Sequence, residues 1–540
     1  MTKEQGTSRF WELAEQAKLL QEEIRLLLPS LAEARRKYSR SKSDVDRIEL
    51  ERIQNFAGEL LATNNAVGRE LEQASGLSEE ILRAIETQNL PGDGENRLLR
   101  GDLIEQRVAV TGIVETHLAE AIDAVTRLVP SGWLQHDSEI SHRIDRLIDG
   151  SDCLSLVKGL RSDSEFPHLH RLRQMIRVSK DYQDEELAYD HFAGATVVPQ
   201  LVQLGTRLKN LNDVGGDVSL RVRRLWEGAT ESTDANVFEL LVAAGCAEYG
   251  RKVEFLPETH ERSPDIRCHD PYPMVIECKR KRVLSNYEID EEASMRRLFS
   301  QLEIESNKRG LYGRFDLHLK VESNAIPSND IVAGLISQRL APHPDRPLDY
   351  PWGSVAYHQL PYRMSLPEVT RLYSPNMLKA AFGWNSDLPE WDGIVCRVDN
   401  GREASVGEIR RPIALAWSNV ADAAVKKRAW SPLDLFGDAM GQIPPGEFGI
   451  IYLAYHEGAR EEIANRRIQN FLDRMPEWEH SASIRVPISF LVRLYPRPLD
   501  HGSPDLIEST LRLCSDIYGE PALFEDFPNT IFTRAPQKVN

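Results

Sequence analysis

The sequence predicts a multidomain protein, α followed by α/β: a helical, coiled-coil-like first part, then a mixed sheet flanked by helices. Three observations carry this. Apolar residues recur at alternating three- and four-residue spacing through the first 130 positions. Short β-branched runs bounded by Pro and Gly begin near position 250. At 540 residues the chain is also too long for one typical core.

In the first part, Phe10, Leu13, Ala17, Leu20, Ile24 and Leu27 form one seam, which Pro29 ends. Leu50, Ile53, Ala57, Leu60, Asn64, Val67, Leu71 and Ala74 form a second, with Asn64 as a polar register-setter. Leu90–Arg97 is a loop by its Pro and Gly content. A third helix carries Thr111, Val114, Leu118, Ala121, Val125 and Leu128. Residues 1–130 are therefore a helical domain, either a bundle within the chain or a coiled coil that docks a second copy or a partner. Residues 131–230 read as a helical connector with a loop at Asn212–Asp217.

Residues 231–322 change character. Ser232-Thr233-Asp234 starts a helix that Gly250 stops. RKVEFL, PDIRCH and MVIECKRKR are three short strands, the last two joined by a DPYP turn. A long helix closed by Gly310 and the strand RFDLHLKV follow. Beyond Glu322, strand patterns return at Gly393–Asp399, Pro412–Trp417 and Phe448–His456, the last followed by a helix. Residues 323–540 are a C-terminal α/β unit or an extension of the first sheet.

The chemistry gathers on the hairpin. Asp265 opens one strand and Glu277 lies near the end of the next, so pairing brings two carboxylates within a few ångströms. They repel unless a cation sits between them. Oxygen donors without His or Cys suit Mg²⁺ or Mn²⁺. Lys279, two residues after Glu277, shares its face of the strand. A metal, a water and a lysine beside a phosphate are the parts of phosphodiester hydrolysis.

At Pro264-Asp265 and Glu277-Cys278-Lys279 the chain resembles the PD-(D/E)xK nuclease superfamily, with its restriction-endonuclease-like mixed sheet, over residues 231–322. The resemblance implies that Asp265, Glu277 and the Cys278 backbone carbonyl bind Mg²⁺ (or Mn²⁺), and that Lys279 positions the attacking water. It also implies that Glu239, on the preceding helix, completes the metal site. On the following helix, Gln301, with Arg297 as the lesser candidate, would bring a polar group to it. The implied protein is a nuclease, on DNA before RNA, in prokaryotic restriction or anti-phage defence. Its helical N-terminus would form a homodimer or bind a protein partner. Two further Pro-Asp pairs, Pro344-Asp345 and Pro504-Asp505, lack a carboxylate-x-Lys at suitable spacing.

Other features are weaker. The run Lys279–Arg282 sends alternate cations to opposite faces, so two could reach phosphates. His260 and His269 read as loop residues, and Asp392 with Glu408 as a structural hairpin. The aromatic residues show no ladder for stacking bases. A net charge of −17 argues against a protein that coats nucleic acid. Six scattered cysteines without CxxC pairs argue for reduced thiols, a cytoplasmic setting and no zinc site. No apolar run is long enough for a membrane span or a secretion signal. The reading from another class is a catalytically inactive nuclease-like scaffold whose N-terminus binds a protein.

Overall fold

The computed structural model describes residues 102–106, 111–136 and, apart from short intervals, 146–533, together with Val45, Ile48 and Arg52. The chain divides into two units, 1–101 with 514–519, and 102–513 with 520–540. In the first, Val45, Ile48 and Arg52 are helical and exposed and Cys514 ends a strand; the two seams expected before position 75 otherwise lie outside the described residues. The second unit is mixed α/β, with ten α-helices among the described residues and two mixed sheets.

The first sheet has seven strands in the order β1 (Asp102–Gln106), β15 (Pro504–Cys514), β14 (Arg485–Pro498), β13 (Phe448–His456), β6 (Met274–Arg280), β5 (Ile266–Cys268) and β4 (Val253–Phe255). β4, β5 and β6 run antiparallel in turn, whereas β6, β13 and β14 are parallel. The second sheet runs β3 (Leu160–Arg161), β2 (Leu154–Val157), β11 (Gly393–Asp399), β12 (Ser405–Asn419), β7 (Gly313–Leu319), β9 (Gly353–Gln359) and β8 (Leu348–Tyr350), with β10 (Arg363–Arg371) also against β12.

In chain order the helices are α1 (Thr111–Thr126), α2 (Arg171–Gln183), α3 (His191–Arg207), α4 (Val218–Glu227), α5 (Thr233–Glu248), α6 (Asn286–Arg309), α7 (Asn329–Leu340), α8 (Pro375–Phe382), α9 (Asp422–Met440) and α10 (Glu461–Glu479). α5 and α3 pack on one face of the first sheet, against β6, β4 and β14. On the other face, Leu433, Phe436 and Met440 of α9 and Phe471 of α10 bury Ile451, Leu453, Tyr455 and Leu491.

Several boundaries differ from the sequence reading. The elements expected to complete the catalytic sheet, α6 and β7, belong to the second sheet: Met295, Leu298, Phe299 and Leu302 pack with Phe315 and Leu317. Their places beside β6 are taken by α9 and β13. Residues 281–421 thus enter between two neighbouring strands of the first sheet. Residues 323–540 are shared between both sheets. The connector contributes β2 and β3, and the helix at 111–126 packs on α3. α9 had no counterpart in the sequence reading because Pro432 lies inside it. Pro432 has no N–H for the Arg428 carbonyl four residues back, and Arg467 Nη2 donates to that carbonyl instead, at 2.9 Å.

Candidate active site

The hairpin and the helix before it form as expected. α5 starts at Thr233, and Gly250 adopts φ +77° just past its end. β5 and β6 pair in the register Ile266↔Ile276, so Asp265 falls opposite Glu277. The Asp265 amide donates to the Ile276 carbonyl at 3.2 Å. The Cys278 amide donates to Asp265 Oδ2 at 2.9 Å. Within a strand, the N–H and C=O of one residue leave the same edge. The Cys278 carbonyl is therefore turned toward Asp265 as well.

The facing of Glu277 follows from register. Glu277 is the partner of Ile451 and Lys279 that of Leu453. Ile451 and Leu453 sit under α9 and α10, so Glu277 and Lys279 lie on that face of the sheet and Cys278 on the opposite one. The Glu277 side chain is 0% exposed and that of Lys279 22%. Lys279 Nζ pairs with Glu277 Oε1 at 2.5 Å, while the buried Oε2 has no hydrogen-bond partner.

Glu239, on α5 at the other face, is linked to Asp265 through a partner the sequence did not foresee. Arg221 Nη1 of α4 lies 2.7 Å from Glu239 Oε2 and 3.9 Å from Asp265 Oδ1. Arg221 also donates to the Leu256 carbonyl and lies 5.4 Å from the Phe255 ring centre. The turn before α4 sets this placement. Gly215 exchanges backbone bonds with Val253 and Phe255 of β4. A Cβ at Gly216, φ +77°, would fall 2.2 Å from the Phe255 carbonyl oxygen, so only glycine permits the approach. The sequence signal for Arg221 is its place four residues before Leu225 on the side of α4 that the fold buries.

Electrostatics set these carboxyls apart. Burial pushes Glu277 and Glu239 up, to about 8, and the Asp265 charge adds to it. Asp265 is raised too, by burial, against the opposing pull of the Cys278 amide and Lys279. Burial opposes the charge on Lys279, but Glu277 and Asp265 outweigh it and hold its ammonium above the ordinary value. Lys279 and Arg221 together thus do not bring three buried carboxyls back to their ordinary range.

The donor set fits a hard divalent ion: carboxylate oxygens and a carbonyl, no nitrogen or sulfur, and a buried carboxylate with one oxygen unpartnered. As they stand, no group of three or more His, Cys, Asp or Glu among the described residues is arranged to hold a metal ion. Between Glu239 and Asp265, the guanidinium of Arg221 is the cation present.

The remaining candidates lie elsewhere. Gln301 and Arg297 are exposed on α6 and line a surface pocket with Ser323 and Asn329; they are not brought to Asp265 and Glu277. His269 pairs with Glu254 at 3.2 Å, and His260 lies outside the described residues. Asp392 is buried in ion pairs with Arg428 and Arg460, while Glu408 is exposed beside Arg410. No helix among the described residues is long and apolar enough to cross a membrane. No family model, curated protein or solved structure matches the chain.

Proposed function

We propose that the protein is a metal-dependent nuclease of the PD-(D/E)xK type. The observation that carries this reading is Glu277, fully buried opposite Asp265, with one oxygen on Lys279 and the other without a hydrogen bond. Lys279 offsets part of the cost of burying this carboxylate beside two others, and a bound cation or a proton offsets the rest. Asp265, Glu277 and the Cys278 carbonyl would hold Mg²⁺ or Mn²⁺, which supplies Lewis-acid stabilisation of charge on the scissile phosphate. Lys279, held charged, orients the attacking water and faces the phosphate. Glu239 would complete the metal site where Arg221 now sits against it. DNA is the substrate proposed first, and restriction or anti-phage defence the setting that the resemblance implies.

The test is incubation of the full chain with plasmid, linear and single-stranded DNA and with RNA, in Mg²⁺, Mn²⁺ or EDTA. Metal-dependent cutting lost in Asp265→Ala and Lys279→Ala is expected. Cutting retained in both variants would remove the assignment.

One observation favours a second reading, an inactive nuclease-like scaffold: Arg221 already sits against Glu239 and Asp265. A scaffold would bind no Mn²⁺ through Asp265 and Glu277, and calorimetric titration separates the two.

A further inference from the structure

The face of β6 that carries Glu277 and Lys279 continues to Lys281, two residues or roughly 7 Å further along. The Lys281 amide still bonds to the Ala454 carbonyl of β13, at 2.8 Å, so the alternation holds there. At this point the strand opens into a groove of about 760 Å³ between the end of β6, the start of α6 and the exposed side of α9. Lys281, Lys426 and Lys427 line it, with Tyr287 and Trp430, and Asp434 is the one carboxylate among the lining residues.

α9 presents these groups by its own periodicity. Ala424, Val425, Ala429 and Leu433 are buried, while Lys426, Lys427, Trp430 and Asp434 are exposed on the other side. The two lysines make ion pairs with Asp422 (2.6 Å) and Glu322 (2.5 Å) while remaining more than half exposed. Exposed pairs of this kind exchange readily for a phosphate. Trp430 is 40% exposed. Its indole N–H is fixed on Asp434 at 2.7 Å, and the guanidinium of Arg474 lies 5.2 Å from its ring centre. Tyr287 has the ammonium of Lys427 at 5.4 Å. Aromatic rings that the sequence scatters are thus gathered among cations, in a chain whose net charge is −17.

We infer that this groove holds a single nucleic-acid strand beside the site, with backbone phosphates on Lys281, Lys426 and Lys427 and an unpaired base on Trp430. Cations along a backbone with an aromatic platform are the recognition chemistry of single strands. A base inside a duplex has no free face to stack. The inference rests on the nuclease reading for its substrate, and extends it to strands that are single or locally opened.

The experiment is fluorescence anisotropy of labelled 20-mers (single-stranded DNA, single-stranded RNA and duplex DNA) with the full chain in EDTA, where no cutting occurs. Single strands are expected to bind more tightly than duplex. Trp430→Ala should weaken single strands by about tenfold and duplex hardly at all. Lys426→Gln/Lys427→Gln should flatten the dependence of log affinity on log salt by about 1.4. Both changes are on exposed positions, and circular dichroism and melting checks that the fold is kept. Single-strand affinity unchanged in both variants, duplex bound as tightly as single strands, or no binding at all would overturn the inference. Binding in EDTA that responds as expected, with no cutting under any metal, would leave the groove standing and remove the nuclease reading instead. The DNA and RNA arms decide the sugar.

Discussion

Two buried glutamates, Glu277 and Glu288, form a near-matched pair with opposite outcomes. Each is almost wholly buried with a lysine close by, Lys279 at 2.5 Å and Lys158 at 2.6 Å. Glu288 caps α6: its Oε2 accepts from the Ser285 amide at 2.7 Å and hydroxyl at 2.8 Å. Burial pushes its carboxyl up, but Lys158, Arg428 and Ser285 outweigh that and hold it down to about 2. Burial also pulls the Lys158 ammonium below its ordinary value, so the Ser285 bonds, as well as the ion pair, keep the charge on Glu288. Glu277 has no such donors and has two carboxyls for neighbours. The same side chain and partner are structural where the surroundings complete the hydrogen bonds, and poised for a further cation where they do not.

The largest expected difference is in the lysines. Lys158→Met strands an ionised, buried Glu288 and should lower unfolding free energy by about 3–5 kcal/mol. Lys279→Met should cost less than about 1 kcal/mol near pH 7, since Glu277 then keeps a proton at little expense. Urea titration reads both, and equal losses would erase the contrast between the two regions.

Next in size is the response to metal. Mn²⁺ at a hundredfold excess over its dissociation constant should stabilise the wild type by about 2.7 kcal/mol, read as a rise in melting temperature. Glu277→Gln should show no rise, whereas Glu288→Gln, although less stable, should keep it.

The pH dependence sharpens the comparison further. Carboxyls raised in the folded state favour folding fully below their unfolded value, near 4.5, and lose that contribution as pH rises towards about 8. Glu288 runs the other way, contributing above about 4.5 and losing it as pH falls through about 2. In EDTA, Glu277→Gln should therefore gain on the wild type between pH 5 and 8. The deficit of Glu288→Gln should be flat over that range and shrink only below pH 4.5. Melting curves of the three proteins check both slopes.

The smallest effect expected is at Arg221. Arg221→Met removes the guanidinium from beside Asp265, and Mn²⁺ should bind severalfold more tightly by calorimetry. Weaker binding would show that Arg221 assists the ion rather than competing with it.

These outcomes depend on elements that the sequence revealed unevenly. The hairpin, α5 and the group Glu239, Asp265, Glu277 and Lys279 were legible because adjacent strands and a preceding helix are local, and period-2 alternation assigns the faces. What β6 pairs with on its other side was not. FGIIYLAYH and RFDLHLKV are both apolar strands, and nothing in their periodicity says which sheet each joins. Gln301 was misplaced for the same reason, because its helix was assigned to the nearest sheet along the chain. Arg221 was not foreseen because its helix carries three arginines, and only the fold buries Arg221 while leaving Arg223 exposed.

The entry of residues 281–421 between β6 and β13 has a consequence for how the protein is made. On a ribosome adding about 5–20 residues per second, the strand bearing Glu277 emerges on the order of ten seconds before the strand that pairs with it. During that interval one edge of β6 has no partner from its own sheet, and its apolar face lacks α9. The second sheet, whose α6, β7, β9, β11 and β12 all lie within the intervening stretch, can assemble first and carry the two ends of the gap toward each other. The hairpin and α5 that carry the residues proposed for catalysis are made early, but the β13 partner and the α9 cover of β6 come only after position 421, so no earlier fragment holds the site in its finished surroundings.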